Sequence, residues 1–326
     1  MSAVAGDAVH ARGGHRLRVG LMLPQTEGMR QRAITGWADL ERMARLAEDV
    51  GFDSLWVVDH FLYQLQGEDR GRGVWEGWTL LAALAASTRT AELGTLVVGM
   101  GFRNPGLLAK MADTVDEVSN GRLILGVGAG YHEREYRAFG YPYDHRYSRF
   151  AEAIHIVHAL LRQGRVDFAG NYYQARDCEL RPRGPRLNGP PIMIGSIGPR
   201  MLTLVARYAD SWNAYYDDTR NRVDTVRRLR EVVDAACHEA GRDPATLERT
   251  VAVLLADPGA DPWWNRLPTR YGELALEPLS GPPERVAEEL QAYAREGIAH
   301  VQICLDPTTP LTIEGFAPVL EILARS

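Results

Sequence analysis

The 326-residue chain is short of lysine, of cysteine and of long apolar runs. Lys110 is the one lysine among 37 basic residues, a bias that fits a GC-rich gene rather than a chemical role. The net charge of −5 lacks the basic excess that a nucleic-acid partner requires. Three cysteines, Cys178, Cys237 and Cys304, lie far apart. They form no CxxC pair, and their odd number gives no disulfide framework, so a reducing cytoplasm is the expected setting. No stretch approaches the roughly 18 apolar residues of a membrane span, and no membrane partner is expected. Residues 1–16 are rich in Ala, Gly and His and have no apolar h-region; they are expected to be a disordered leader. No GxGxxG directly follows the first strand pattern, which counts against an open dinucleotide-binding sheet.

What is present is an ordinary globular composition, 45% apolar and 24% charged. Short apolar runs alternate with longer amphipathic segments. The strand patterns fall at residues 18–23, 54–58, 91–98, 123–127, 192–195, 211–214, 250–256 and 300–305. Helical spacing falls at 37–50, 77–87, 106–118, 150–161, 199–209, 222–240, 282–295 and 313–323. Continuous apolar strands are buried on both faces. Their alternation with helices demands a parallel sheet, and eight units close a barrel. The expected fold is one (β/α)₈ TIM-barrel domain over residues 17–326, with a hairpin insertion at about 163–190 and a second insertion at about 257–281. The hairpin is expected to turn at Gly170-Asn171.

Barrel active sites are built from the loops after the strands, so chemistry is sought there. Asp59-His60 follows the second strand. His60 is a candidate proton carrier near neutral pH, or a structural loop ligand. Asp59 is either a ligand contact or a loop cap. Gly99 and Gly101 end the third strand, where glycine suggests a bulge or close approach by a ligand. Gly126, Gly128 and Gly130 follow at alternate positions and would admit a flat ligand. Tyr131, His132 and Glu133 then offer a stacking face and polar contacts. Gly195, Ser196 and Gly198 precede a helix that starts at Pro199. Its free N–H groups and dipole suit a phosphate, with Arg200 adding charge, though an ordinary turn has the same composition. His155 and His158 lack a third ligand, so no metal site is expected. Trp263-Trp264 lines a substrate mouth, or is core under a long loop, or meets another subunit.

Four segments in this order carry a resemblance: Asp53–Phe61 (DSLWVVDHF), Leu93–Pro105 (LGTLVVGMGFRNP), Gly121–Glu135 (GRLILGVGAGYHERE) and Ile192–Asn213 (IMIGSIGPRMLTLVARYADSWN). Together they resemble the luciferase-like flavin/deazaflavin oxidoreductase superfamily, and most of all its branch dependent on the deazaflavin coenzyme F420. The resemblance runs from about residue 17 to 325. It implies hydride transfer between coenzyme F420 and a small organic substrate, with an FMN-dependent monooxygenase as the alternative. It implies a non-prolyl cis peptide at Leu96-Val97 beneath the cofactor ring. It also implies ring or side-chain contacts at Asp59, Gly99 and His132, a phosphate turn at Ile197, Gly198, Arg200 and Met201, and a proton-donating role for His60. Relatives are often homodimers. The family's sugar-phosphate dehydrogenases have an acidic residue in the place of Ala129 and a tryptophan near Gln64. This chain has neither, so the resemblance does not extend to glucose 6-phosphate as substrate.

Overall fold

The computed structural model describes residues 16–28, 33–64, 68–257, 263–266 and 276–326. Residues 1–15 of the expected leader and most of the 257–281 insertion lie outside the described residues. Among those described, strands and helices alternate: β1 (Arg18–Met22), α1 (Trp37–Val50), β2 (Ser54–Val57), α2 (Gly77–Ser87), β3 (Glu92–Thr95), α3 (Pro105–Val118), β4 (Leu123–Gly128), α4 (Arg146–Gln163), β5 (Ile192–Gly195), α5 (Pro199–Tyr208), β6 (Ser211–Ala214), α6 (Val223–Glu239), β7 (Glu248–Ala256), α7 (Pro283–Arg295), β8 (His300–Asp306) and α8 (Ala317–Ala324). Each strand pairs in parallel with the next, and β8 returns to β1 with Arg18 opposite His300. The sheet is therefore a closed eight-stranded barrel, as the alternation required.

Local chemistry sets the ends. In α1, Leu40, Met43, Ala44 and Ala47 are buried at i, i+3, i+4 and i+7. Gly51 then adopts φ 99°, and its N–H reaches Ala47 O and Glu48 O, closing the helix as a left-handed C-cap. The Asn104 side chain accepts from Gly106 N and Leu107 N and starts α3 with Pro105 at its first turn. Between α4 and β5 stands the expected hairpin, Arg165–Ala169 against Gln174–Glu179. Its turn is longer than expected, Gly170 to Tyr173, because Glu152 of α4 accepts from the N–H groups of Asn171, Tyr172 and Tyr173.

Two expected elements are divided. The run 91–98 is not one strand: β3 stops at Thr95, and Val98–Gly99 pairs separately with Val127–Gly128. The Leu96-Val97 peptide between them is cis. The closing helix is two pieces, Pro310–Gly315 and α8.

The barrel interior is filled rather than hollow. Trp56 of β2 is fully buried, and its space is made by glycines on both flanking strands. A Cβ at Gly20 would lie 2.4 Å from Trp56 Nε1, and one at Gly94 would lie 2.2 Å from its six-membered ring. Trp56 Nε1 donates to Ser54 Oγ (2.7 Å), which also meets His300 Nε2 (2.7 Å), so the polar atoms of this layer are paired. Burial holds the His300 imidazole well below its usual range, and it stays neutral. Gly94→Ala is expected to cost about 1–3 kcal/mol through overpacking against Trp56. Gly315→Ala, whose Cβ would meet nothing within 4 Å, is expected to be neutral. Chemical denaturation of the two variants checks this.

Candidate active site

A cavity of about 790 Å³ opens at the C-terminal ends of the strands. Its lining includes twelve of the fourteen residues anticipated from sequence: Asp59, His60, Leu96, Val97, Gly99, Gly128, Tyr131, Gly195, Ser196, Ile197, Gly198 and Met201. The other two sit elsewhere. The Arg200 guanidinium stacks 3.9 Å over the Tyr147 ring, and His132 stands behind the wall against Glu135.

His60 is held by a residue that the sequence reading did not single out. Glu135, in the short helix Glu133–Phe139 after β4, is buried. Its Oε2 lies 2.8 Å from His60 Nδ1. Its Oε1 accepts from the backbone N–H groups of Phe61 (2.7 Å) and Leu62 (3.1 Å). His132 Nδ1 stands 3.3 Å from the same Oε2. Burial pushes the Glu135 carboxyl up, but the histidines and the loop N–H groups overcome it and hold the carboxyl down at about 2. An ionised Glu135 accepts only, so the Nδ1–H tautomer of His60 faces it and Nε2 is the nitrogen left for other partners. The donor atoms of His60, His132 and Glu135 lie within 4.8 Å of one another, a set that suits a metal ion in number and type. Two backbone N–H groups already occupy Oε1, which favours the hydrogen-bonded reading.

Asp59 was read as a ligand contact or a loop cap. Although it borders the cavity, its carboxylate bonds within the protein. Oδ2 accepts from Gly99 N (3.0 Å) and Arg103 Nη1 (2.6 Å), and Oδ1 from Arg103 Nη2 (2.9 Å). Arg103 continues to Glu76, whose carboxylate caps the first turn of α2. Burial keeps the Asp59 carboxyl above its usual range even against this bidentate partner. Asp59 and Arg103 thus lock the loop after β2 to the segment after β3.

The alternating glycines are also required by the protein's own packing, while Gly128 and Gly130 border the cavity. A Cβ at Gly126 would lie 1.9 Å from Thr95 O, and one at Gly128 would lie 2.8 Å from Val97 Cγ2. Gly130 has φ 74° and would strike Tyr136 Oη. Gly126 and Gly128 make room for the protein's own chain at the break after β3, and Gly130 makes room for Tyr136 on the short helix after β4. Gly195 plays the same part, its Cβ position 3.1 Å from Val97 Cγ1. Gly198 is the exception: a Cβ there meets nothing within 4 Å. It is the N-cap of α5, and no side chain caps that end. The first-turn N–H groups therefore face the cavity end without an intrahelical partner.

Residues 17–256 match the family described as luciferase-like monooxygenase. The chain belongs to that family. Among curated members, an F420-dependent glucose-6-phosphate dehydrogenase of Amycolatopsis mediterranei is 37% identical over 53% of this chain and 51% of its own. An F420-dependent hydroxymycolic acid dehydrogenase of Mycobacterium tuberculosis is 32% identical over 67% and 58%. The chain thus spans little more than half the length of these two relatives. A solved F420-dependent secondary alcohol dehydrogenase, in complex with an F420-acetone adduct, superposes with TM-score 0.75 at 21% identity, covering 94% of this chain and 99% of the other. A riboflavin lyase superposes with TM-score 0.78 at 17% identity over 95% and 92%. These two share the family's barrel fold.

The position of Glu135 has a pH consequence. Its carboxyl titrates at about 2 in the fold against 4.5 for a free glutamate. Its stabilising contribution is whole above 4.5 and is lost as pH falls from there through 2. Glu135→Gln is expected to flatten stability against pH over that window, with native thermal unfolding at a series of pH values as the check. A wild-type slope in the variant would show that the loss comes from other carboxylates.

Proposed function

We propose that the chain is a deazaflavin-dependent oxidoreductase that passes a hydride between coenzyme F420 and a small organic substrate. The observation that carries this reading is the convergence on one cavity of three things: a histidine oriented by a buried carboxylate, the Leu96–Gly99 segment, and the uncapped turn at Gly195–Gly198. Curated relatives named as F420-dependent dehydrogenases support the choice of cofactor. The residues present fit such a group. An uncapped helix start beside a glycine with open space suits a phosphate, and Leu96, Val97 and Val98 give an apolar wall for a flat ring.

Bound there, coenzyme F420 supplies a two-electron hydride carrier. The chain's own residues do the rest. The backbone N–H groups of Arg200 and Met201 would hold the phosphate at the start of α5, while the Arg200 guanidinium stacks on Tyr147. The Asp59–Arg103 pair keeps Gly99 and its neighbours in place on the wall that would meet the ring. His60 Nε2 takes the proton of a substrate hydroxyl as its C–H hydrogen leaves with both electrons, or returns that proton in the reverse direction. Ionised Glu135 keeps Nδ1–H fixed and favours the imidazolium that forms. The family's description favours one other reading, an FMN-dependent monooxygenase, because FMN also joins a flat ring to a phosphate. The cysteines are free of disulfides, which supports a reducing, cytoplasmic setting.

Titration of the purified protein with each cofactor separates the two readings. Tighter binding of coenzyme F420 than of FMN is expected, and the reverse order overturns the proposal. Gly198→Asp, for which the fold has room, is expected to weaken cofactor binding about tenfold or more by placing a carboxylate at the phosphate turn. His60→Ala is expected to leave cofactor affinity nearly unchanged and to lower turnover roughly 10²-fold. An unchanged rate removes His60 as proton carrier.

A further inference from the structure

The proposed function leaves the far side of the cavity without a task. The segment around Leu96-Val97 follows β3, and the strand four places round the barrel is β7. The wall on that side includes Tyr215, Tyr216, Leu254, Trp263 and Cys304, with Asp217, Asp218 and Asp306 also bordering the cavity. Its larger side chains are aromatic or apolar. Tyr216, Leu254 and Trp263 belong to one buried apolar cluster with Leu96, and Tyr63, Val97, Tyr215 and Cys304 pack against it. The apolar surface is thus continuous from the ring wall to the opposite wall. The rings of Tyr215 and Tyr216 lie 4.2 Å apart at 34°, forming a single aromatic face. The polar atoms on it are neutral near pH 7: burial pushes the Cys304 thiol up to about 12 and both phenols well above their ordinary range.

Trp263 comes from the insertion between β7 and α7 and is buried. Its indole Nε1 donates to Asp306 Oδ2 at the end of β8 (2.6 Å), so the ring has a fixed orientation at the mouth. Asp306 itself borders the cavity. Trp263 borders the cavity, and it and Trp264, 6.0 Å apart at 74°, are both buried in the apolar cluster beneath it, so the lining and core readings of the pair meet in Trp263.

We infer that this wall is the substrate subsite, and that it takes an uncharged, ring-bearing apolar molecule with Trp263 as the residue that sets the preference. The inference rests on the reading of the Leu96-Val97 side as the cofactor side. An aromatic box gains from flat, desolvated occupants, by burial of apolar area and by ring packing. Among the described residues that line it none is a lysine or arginine, so a phosphate or carboxylate there would be desolvated at a loss.

The experiment uses 2-naphthol and 2-naphthyl phosphate, which present one ring system with and without charge. Both are titrated into the protein with coenzyme F420 bound and into the cofactor-free protein, and cofactor binding is read separately. The expected result is that 2-naphthol binds at least about tenfold more tightly than its phosphate ester. Trp263→Ala is expected to weaken 2-naphthol by about tenfold or more while leaving coenzyme F420 affinity unchanged. Trp263→Phe, which keeps a ring without the Asp306 bond, is expected to retain most of the affinity and serves as the folded control. Equal or tighter binding of the phosphate ester overturns the inference, and so does unchanged 2-naphthol affinity in Trp263→Ala. Failure of coenzyme F420 to bind sinks the proposed function instead, and the effect of Trp263→Ala on 2-naphthol affinity in the cofactor-free protein still decides the character of this wall.

Discussion

One buried carboxylate joins two of the loops on which the candidate site is built. Glu135 accepts from Phe61 N and Leu62 N after β2 while sitting on the helix after β4. The same group meets His60 Nδ1, so the loop's path and the imidazole's tautomer are fixed by one side chain. A buried charge is tolerable only when its lone pairs are filled, and here three N–H donors fill them. The site is accordingly organised by its own wall: Glu135, which borders the cavity, also places His60 and the loop after β2.

The same logic holds at the break after β3. Val97 is seated between Gly128 and Gly195 on the two strands beyond β3, and Thr95 O fills the space a side chain at Gly126 would need. Asp59 and Arg103 close this region from the other side. The rim is therefore shaped by close backbone contact and one bidentate ion pair with little solvent access.

Periodicity made the barrel legible, because strands buried on both faces and helices stopped by glycine leave strong local marks. α1 and α2 have the bounds their patterns imply, and the glycine turn at 195–198 lies on the cavity at a strand end. Partnerships across the fold left no such mark. Glu133 and Glu135 stand two apart in GYHERE. Residues two apart on a helix face different ways, and only the fold shows that Glu135 turns inward. Its spacing of three from His132 was the one available hint. Arg103 had no local signal, since its partners Asp59 and Glu76 are 44 and 27 residues away. The GxGxG run was visible, but composition cannot distinguish a glycine that admits a ligand from one that admits a neighbouring strand.

Trp263 is fastened to Asp306, which belongs not to its own insertion but to the end of the last barrel strand. A transplanted insertion would arrive without its anchor unless the recipient barrel already offered a carboxylate at that strand end. Diversification of this mouth is therefore constrained to move in pairs: the variable segment changes together with a residue about forty positions downstream. A lineage that lost the aspartate would keep its tryptophan but forfeit its orientation, and with it the shape of the entrance.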